Sequence, residues 1–270
     1  MPTGIWEKRY VKKADEIRQK ACFDWFSERA YEEYLKWITP SDRRILDAGF
    51  GTGRFCYALA EDFPESEITG IDISQDLVEN ATEGAKILGL RNVSFRRDSI
   101  FSLSFPDNHF DVVFNEGVIE HFPNYEEALT EMVRVAKPGG KVIVGVPNWY
   151  CFPHTIRKFF INRLGLEYEY GLEKSFKHRE LRELCLRNNL TDLEFTGYYF
   201  MQSLTRLCWA SSLARRMWRL SPVWKAFQRM GEIVDDQWFG QIDKLCHHWF
   251  STKFGFEIVV KGVKIGREVI

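Results

Sequence analysis

The residues best suited to chemistry form a glycine-rich turn, Asp47-Ala48-Gly49-Phe50-Gly51-Thr52-Gly53, between a short apolar run and a helical pattern. Glycine lets a backbone turn sharply and approach a ligand closely. In an open α/β sheet, ligands bind at the carboxyl ends of the strands, where such a turn lies. We therefore expect a nucleoside-type cofactor here. A dinucleotide would need glycine or alanine at the last motif position, which is Arg54 or Cys56 in the two alignments.

Further motifs follow in order along the chain. Asp72 ends the second predicted strand, where a carboxylate can accept hydrogen bonds from both ribose hydroxyls. Asp98-Ser99 follows the third strand, and the segments 105–122 and 136–140 surround the fourth strand and precede the fifth. Together these motifs resemble those of class I S-adenosylmethionine (SAM)-dependent methyltransferases of the type 11 family. The resemblance covers residues 43 to about 148, with a weaker tail through 200 and 254–264.

The resemblance implies that SAM is the cofactor and assigns it a set of binding residues. The three glycines would let the loop pass the methionine part, and the other residues would contact its charged end, the ribose or the adenine. These residues are Asp47 at the loop or the ammonium, Gly49, Gly51, Gly53, Asp72 at the ribose, Ile73 against adenine, Asp98 and Ser99 at the adenine edge, and Asn115 beside the sulfonium. Capping or turn chemistry is the alternative for Asp98 and Asn115.

The catalytic residues follow less directly from the motifs. SAM carries an activated methyl group, so positioning alone supplies much of the rate, and a general base is needed only for an alcohol, a phenol or an acidic carbon. His121, after the fourth strand, and His154, after the fifth, are the candidate catalytic residues. His121 has an alternative as a helix-packing residue and His154 as a surface-loop residue. Glu116 and His178 are further candidates, His178 also as a helix cap.

No metal site is expected. Cys246-His247-His248 has no second pair of ligands at metal-binding spacing.

The elements that must position these residues alternate from residue 43 onward. Strands are predicted at 44–47, 67–72, 93–97, 110–114, 141–146, 193–200 and 254–265, and helices at 5–38, 55–63, 75–88, from 124, and at 179–188. Asn124 and Glu127 form a predicted capping box, and Lys137-Pro138-Gly139-Gly140 ends that helix. Alternation predicts an α/β fold with a parallel sheet and helices on both faces. The resemblance implies a Rossmann-like sheet of seven strands, mostly parallel, with an antiparallel last strand and helical lid insertions.

The predicted organisation has four parts. Residues 1–40 form an N-terminal helical cap, 41–200 the SAM-binding core, 201–252 a helical lid insertion between the last two strands, and 253–270 the final strand. The lid and the aromatic-rich segment 148–177 are both expected to leave the carboxyl edge of the sheet and cover the pocket.

Composition limits the location and the partners. The chain has 270 residues, 45% of them hydrophobic, and a formal net charge of −1, which argues against a general nucleic-acid-binding protein. Six scattered cysteines without a Cys-x-x-Cys pair, and an N-terminus without an apolar leader segment, favour a reducing, cytoplasmic location.

The predicted lid differs from the rest in charge. No acidic residue occurs from Phe195 to Gly231, whereas six basic residues do, and five of the nine tryptophans lie in 201–252. A basic amphipathic segment with tryptophan is typical of membrane-surface binding, so 204–230 is a candidate for peripheral contact at the inner membrane surface. The alternatives are a cap whose arginines are solvated, or a site for an anionic acceptor.

The sequence therefore predicts a SAM-dependent methyltransferase acting on a small-molecule or lipid-like acceptor, with oxygen favoured as the methylated atom. A non-catalytic SAM- or nucleoside-binding regulatory module is one alternative. RNA methylation is another, disfavoured because Asn115-Glu116-Gly117-Val118 replaces an Asn-Pro-Pro-Tyr-type motif after the fourth strand. The acceptor and the oligomeric state do not follow from the sequence.

Overall fold

The structure is a computed structural model that describes residues 25–163, 165, 171–199 and 249–266. In these residues seven strands form one sheet in the order β3-β2-β1-β4-β5-β7-β6. The strands are β1 (Arg44–Ala48), β2 (Glu67–Asp72), β3 (Val93–Arg97), β4 (Phe110–Glu116), β5 (Ala136–Pro147), β6 (Leu190–Tyr198) and β7 (Glu257–Lys264). Neighbouring strands pair in parallel except β7, which is antiparallel to β5 and β6. The predicted mostly parallel α/β fold is confirmed.

Helices cover both faces of this sheet. They are α1 (Trp25–Tyr34), α2 (Arg54–Asp62), α3 (Gln75–Leu88), α4 (Tyr125–Val135), α5 (Phe152–Arg163), α6 (His178–Arg187) and α7 (Trp249–Phe254), with a short 3-10 helix at Ile119–His121. One buried cluster packs α1, α2 and α3 on the sheet through residues such as Tyr34, Phe55 and Leu77. The other packs α4 and α6 through Leu129 and Leu181. Among the described helices, none is both long and apolar enough for a bilayer crossing.

Local chemistry explains why the predicted elements around the glycine turn form where they do. Helix α3 begins after Ser74, whose hydroxyl accepts the backbone N–H of Leu77 at 3.4 Å, and ends at Gly89 in the left-handed conformation. Strand β5 carries a continuous apolar run because it lies in the interior of the sheet, between β4 and β7.

The structure differs from the sequence-based elements at three places after β4. Helix α4 ends at Val135 and β5 begins at once, since Ala136 pairs with Phe110 and the Pro-Gly stretch belongs to the strand. Asn124 occupies the N-cap position as predicted, but the hydrogen bonds of a capping box do not form: its side chain makes no capping bond and donates instead to the carboxylate of Glu127 at 3.0 Å.

Helix α5 lies within a segment for which the sequence predicted no element. Its second residue is Pro153, which is compatible with a first helical turn, and its inner face is buried at His154, Arg157 and Ile161. Tertiary packing against the sheet edge therefore stabilises a helix that local propensity does not predict.

The predicted division into four parts remains a prediction. Helix α1 falls in the predicted cap 1–40, and β7 falls in the predicted final segment 253–270. Residues 201–248 of the predicted lid lie outside the described residues, as do Cys246, His247 and His248.

Asp111, near the start of β4, joins three elements at the edge of the sheet opposite the glycine turn. Its Oδ2 accepts the backbone N–H groups of Arg43 and Arg44 at 2.9 and 2.8 Å, and its Oδ1 accepts from Lys137 Nζ at 2.5 Å. Burial alone would raise the pKa of Asp111, but the hydrogen bonds from Lys137 and the two amides lower it below its ordinary value of 3.8.

We expect Asp111→Asn to lower the free energy of unfolding at pH 7 by about 1–3 kcal/mol, because the amide leaves donors unsatisfied. A group with a lowered pKa in the folded state stabilises above its unfolded pKa and loses that contribution as the pH falls. The difference from wild type in urea denaturation should therefore shrink as the pH falls through 3.8. Asp76→Asn, at an exposed position, is the matched control. A difference in unfolding free energy that is equal at pH 7 and below pH 3.8 would contradict this account.

Candidate cofactor and active site

The glycine turn occupies the carboxyl end of β1 in the conformation that its residues predict. Gly49, Gly51 and Gly53 have φ angles of +103°, +56° and +77°, which side-chain-bearing residues rarely adopt. The backbone N–H groups of Gly49 and Phe50 donate to the carbonyl of Ile71 at 2.9 and 3.1 Å. A Cβ on Gly49 would overlap Val118, whereas a Cβ on Gly51 would meet nothing within 4 Å. The loop is thus packed at Gly49 and open at Gly51.

Asp72 links the end of β2 to this loop. Its Oδ2 accepts the N–H of Gly51 at 3.2 Å, and its Oδ1 accepts the N–H of Ser74 at 3.0 Å. The carboxylate is only partly buried, so it can still reach a ligand at the sheet edge. This is the position predicted for a ribose-binding acid.

Asp47 lies under the loop and is buried. It accepts a hydrogen bond from the thiol of Cys56 at 3.4 Å. Burial raises the pKa of Asp47 to about 8, the Cys56 hydrogen bond opposes that rise, and the charges of Asp72 and Glu116 add to it. The loop is therefore surrounded by carboxyl groups, which favour the binding of a cationic ligand.

Asn115, near the end of β4, is fully buried and partly unsatisfied. Its Nδ2 donates to the carbonyl of Ala48 at 2.8 Å, while its Oδ1 has no donor among the described residues. An orphaned buried acceptor is costly unless a ligand or water supplies the donor. With the opening at Gly51, this orphaned atom shows that the residues present fit a nucleoside cofactor with a polar, charged tail.

The residues predicted at the adenine side lie next to Asp72. Asp98 donates its backbone N–H to the carbonyl of Asp72 at 3.0 Å. Its carboxylate accepts the backbone N–H groups of Ser99 and Ser104, both at 2.9 Å, which is turn chemistry. The Ser99 hydroxyl accepts from the N–H of Phe101, and Ile73 is 55% exposed at the strand end. The apolar side chain of Ile73 is available to cover a flat ring.

The two predicted catalytic histidines converge on one carboxylate that sequence reasoning missed. His154, on α5, is buried, and its Nε2 lies 3.0 Å from Oε1 of Glu173. Lys158 reaches the same oxygen at 3.3 Å. The charge of Glu173 also acts on His121. The interpretation of His154 as a surface-loop residue is wrong, because tertiary packing places its ring edge-on against Phe256.

Hydrogen bonding defines the state of these groups. His121 Nδ1 lies 2.7 Å from the carbonyl oxygen of Leu172, which can only accept, so Nδ1 carries the proton. Burial lowers the pKa of His121 and of His154 and keeps the rings neutral, with Glu173 opposing the shift. Burial alone would raise the pKa of Glu173, but the hydrogen bond with His154 and the charge of Lys158 lower it to about 2. In the neutral ring, Nε2 of His121 therefore carries a lone pair and no proton.

Glu120 supplies a second carboxyl group beside His121. Its Oε1 lies 3.5 Å from His121 Nε2, and its Oε2 is buried without a hydrogen-bond donor among the described residues. Burial raises the pKa of Glu120 well above its ordinary value, and the charge of Glu173 adds to the rise. The raised pKa favours the uncharged form of Glu120, so the charge that would stabilise an imidazolium at His121 is that of Glu173.

Two other candidates have different partners. His178 Nε2 contacts the carbonyl oxygen of Thr252 at 2.8 Å and joins α6 to α7, while Lys177 occupies the N-cap position, so His178 is not a cap. Glu116, at the end of β4, accepts hydrogen bonds from the hydroxyls of Tyr34 and Tyr198. No sequence motif around either tyrosine predicts this contact.

Comparison with known proteins agrees with this geometry. Residues 40–205 match the model of a methyltransferase domain family, described as "Methyltransferase domain". The chain belongs to this family of SAM-dependent methyltransferases, and SAM is its cofactor. The enzyme class predicted from the motifs is confirmed.

Three similar proteins illustrate the relation. An uncharacterized methyltransferase of Schizosaccharomyces pombe is 40% identical over 114 residues, which cover 40% of this chain and 41% of that protein. A demethylmenaquinone methyltransferase of Anoxybacillus flavithermus is 33% identical over 183 residues, covering 61% and 76%. The Haemonchus contortus phosphoethanolamine N-methyltransferase 2 structure with SAM has a TM-score of 0.58 at 17% identity, covering 90% and 53%. That last likeness concerns the fold alone.

We expect Asp72→Ala to weaken SAM binding at least about tenfold, because it removes both a ligand contact and the acceptor of the Gly51 N–H. Isothermal titration with SAM measures the change. The matched control is Asp76→Ala, an exposed acid one helical turn away. Equal affinities of the Asp72 variant and wild type would remove Asp72 from the cofactor site.

We expect Glu173→Gln to lower the pKa of His121 and His154 further, since the carboxylate opposes the effect of burial on both rings. The shift is measured by NMR titration of the imidazole protons. Glu180→Gln is the control. It removes a carboxylate of α6 that is paired with Lys174. Unchanged titration of both histidines would show that Glu173 does not set their charge state.

Proposed function

We propose that this methyltransferase acts on a small-molecule or lipid-like acceptor that carries a hydroxyl group on an apolar, ring-like body, and that the methylated atom is oxygen. The observation that carries the proposal is the neutral His121, whose Nδ1–H is held by Leu172 and whose Nε2 lone pair lies just beyond the carboxyl end of β4. A fixed base is required by a hydroxyl acceptor and not by a neutral amine.

Exposed apolar side chains support the apolar character of the acceptor. Trp149, Tyr150 and Phe152 follow the carboxyl end of β5 directly and are 46%, 44% and 49% exposed in the described structure. Similarity to proteins named demethylmenaquinone methyltransferase favours the same chemical class, a ring compound of lipid type. The name of the fission-yeast relative states no acceptor, and the matched residues of this chain cover less than half of that protein's length.

The chain's own residues would act in a simple sequence. SAM, when bound, supplies a methyl group already activated by its sulfonium. His121 Nε2 takes the hydroxyl proton of the acceptor as the new oxygen–carbon bond forms, and the electron pair of the broken carbon–sulfur bond remains on sulfur. The charged carboxylate of Glu173 stabilises the imidazolium that results. His154, paired with Glu173, acts as a positioning residue and fixes that carboxylate.

Residues 204–230 keep their predicted role in peripheral contact with the inner membrane surface, which would bring the enzyme to a lipid-like acceptor. They lie outside the described residues. A cytoplasmic location and the absence of a nucleic-acid partner likewise stay predictions.

The function is tested by incubating the protein with methyl-labelled SAM and cell-extract fractions separated into lipids, small molecules, RNA and protein. Label is expected in the lipid or small-molecule fraction, and the carbon NMR shift of the transferred methyl identifies an oxygen-bound group. Label confined to RNA or protein would overturn the proposed acceptor class. A carbon-bound or nitrogen-bound methyl would overturn oxygen as its target.

We expect His121→Asn to lower kcat about 100-fold or more, because it removes the base while its amide can still donate to Leu172. The wild-type rate should rise with pH through a pKa below 6.5, and this dependence should disappear in the variant. His109→Asn, beside the start of β4 at the opposite sheet edge, is the control. Normal activity of the His121 variant would exclude His121 as the base.

A further inference from the structure

Glu116, whose carboxylate takes no part in the base chemistry proposed above, is held firmly at the end of β4. Tyr34, from α1, donates to Oε2 of Glu116, and Tyr198, from the end of β6, donates to Oε1. Gly145 on β5 leaves the space for this arrangement, since a Cβ there would overlap both Glu116 Oε2 and the Tyr34 hydroxyl. Three separate elements therefore hold one carboxylate in one orientation.

This carboxylate is adjacent to the glycine turn. The Tyr34 hydroxyl also lies 3.1 Å from the carbonyl oxygen of Asn115, and Asn115 is bonded to Ala48 at the start of the turn. The charges of Glu116 and Asp72 both raise the pKa of Asp47, which lies under the turn. Glu116 and Asp72 therefore both act electrostatically on Asp47, the residue that the motif resemblance assigns to the loop or to the ammonium of SAM.

The surroundings of Glu116 supply hydrogen bonds but little positive charge. Both of its close partners are neutral hydroxyls, and among the described side chains no cation lies within 4.0 Å of its carboxylate. Arg54, at the start of α2, acts on it from farther away. Burial raises the pKa of Glu116, while the two tyrosines favour its charged form. A carboxylate in such a place is stabilised by a cationic ligand.

We propose that Glu116, oriented by Tyr34 and Tyr198, is the counter-charge for the sulfonium of SAM and makes the site prefer the cationic cofactor to its neutral thioether product. Methyl transfer removes the positive charge from sulfur, so a fixed anion loses a favourable interaction when S-adenosylhomocysteine forms. The expected consequence is selective cofactor binding and easier product release. It is not a faster chemical step, because the same anion stabilises the reactant cation.

Wild-type protein tests the charge preference directly by isothermal titration with three ligands. These are SAM, S-adenosylhomocysteine and sinefungin, which carries an amine in place of the sulfonium. We expect SAM and sinefungin to bind about tenfold more tightly than S-adenosylhomocysteine. Equal affinity for SAM and S-adenosylhomocysteine would overturn the proposal without any variant. No acceptor enters these titrations, so their outcome does not depend on the function proposed above.

The variant Glu116→Gln keeps the shape and removes the charge. It should weaken SAM and sinefungin about tenfold and leave S-adenosylhomocysteine within about twofold. Glu126→Gln makes the same change at an exposed site on α4 and should alter none of the three. Equal weakening of all three ligands by Glu116→Gln would mean that Glu116 serves the ammonium or only the fold, and would refute the sulfonium role. An unchanged set of affinities would refute it as well.

Discussion

The site depends first on the attachment of the glycine turn to the end of β2. Two backbone N–H groups of the turn share the carbonyl of Ile71, and Asp72 accepts the N–H of Gly51 one residue further on. These bonds hold three glycines at positive φ over the sheet edge. Because β1, β2 and β4 run parallel, their carboxyl ends then present Asp47, Asp72 and Asn115 to the same space.

Carboxyl groups dominate the charge of this edge. Asp47, Asp72 and Glu116 lie around the turn, and the pKa of Asp47 rises to about 8 because burial and its acidic neighbours disfavour its charge. Such an arrangement costs stability in the free protein and becomes favourable when a cation binds. A cofactor that carries a sulfonium and an ammonium supplies positive charge where the residues that the structure describes supply little.

A second group of ionisable residues follows the carboxyl ends of β4 and β5 along the chain. Glu173 pairs with His154 and acts electrostatically on His121, which connects the residues after β4 to helix α5 and to the segment before α6. Its pKa of about 2 means that this buried carboxylate is charged at any physiological pH. The two histidines therefore share one fixed negative charge, and the tautomer of His121 is set by the backbone carbonyl of Leu172.

The sequence by itself determined the sheet and the glycine turn, and the resemblance of its motifs to a known family indicated the cofactor. The sheet and the turn follow from short-range patterns, such as apolar runs of strand length, glycines that permit positive φ, and acids placed directly after strands. Strand β2 and helix α3 even have the predicted bounds, because their end signals, Asp72-Ile73-Ser74 and Gly89, are local. Only the tertiary structure decided that His154 is buried on a helix, that Glu173 joins it to His121, and that Tyr34 and Tyr198 meet at Glu116. Those contacts join residues 19 to 82 positions apart in the sequence, and no local pattern in the chain specifies which distant side chains will meet at the sheet edge.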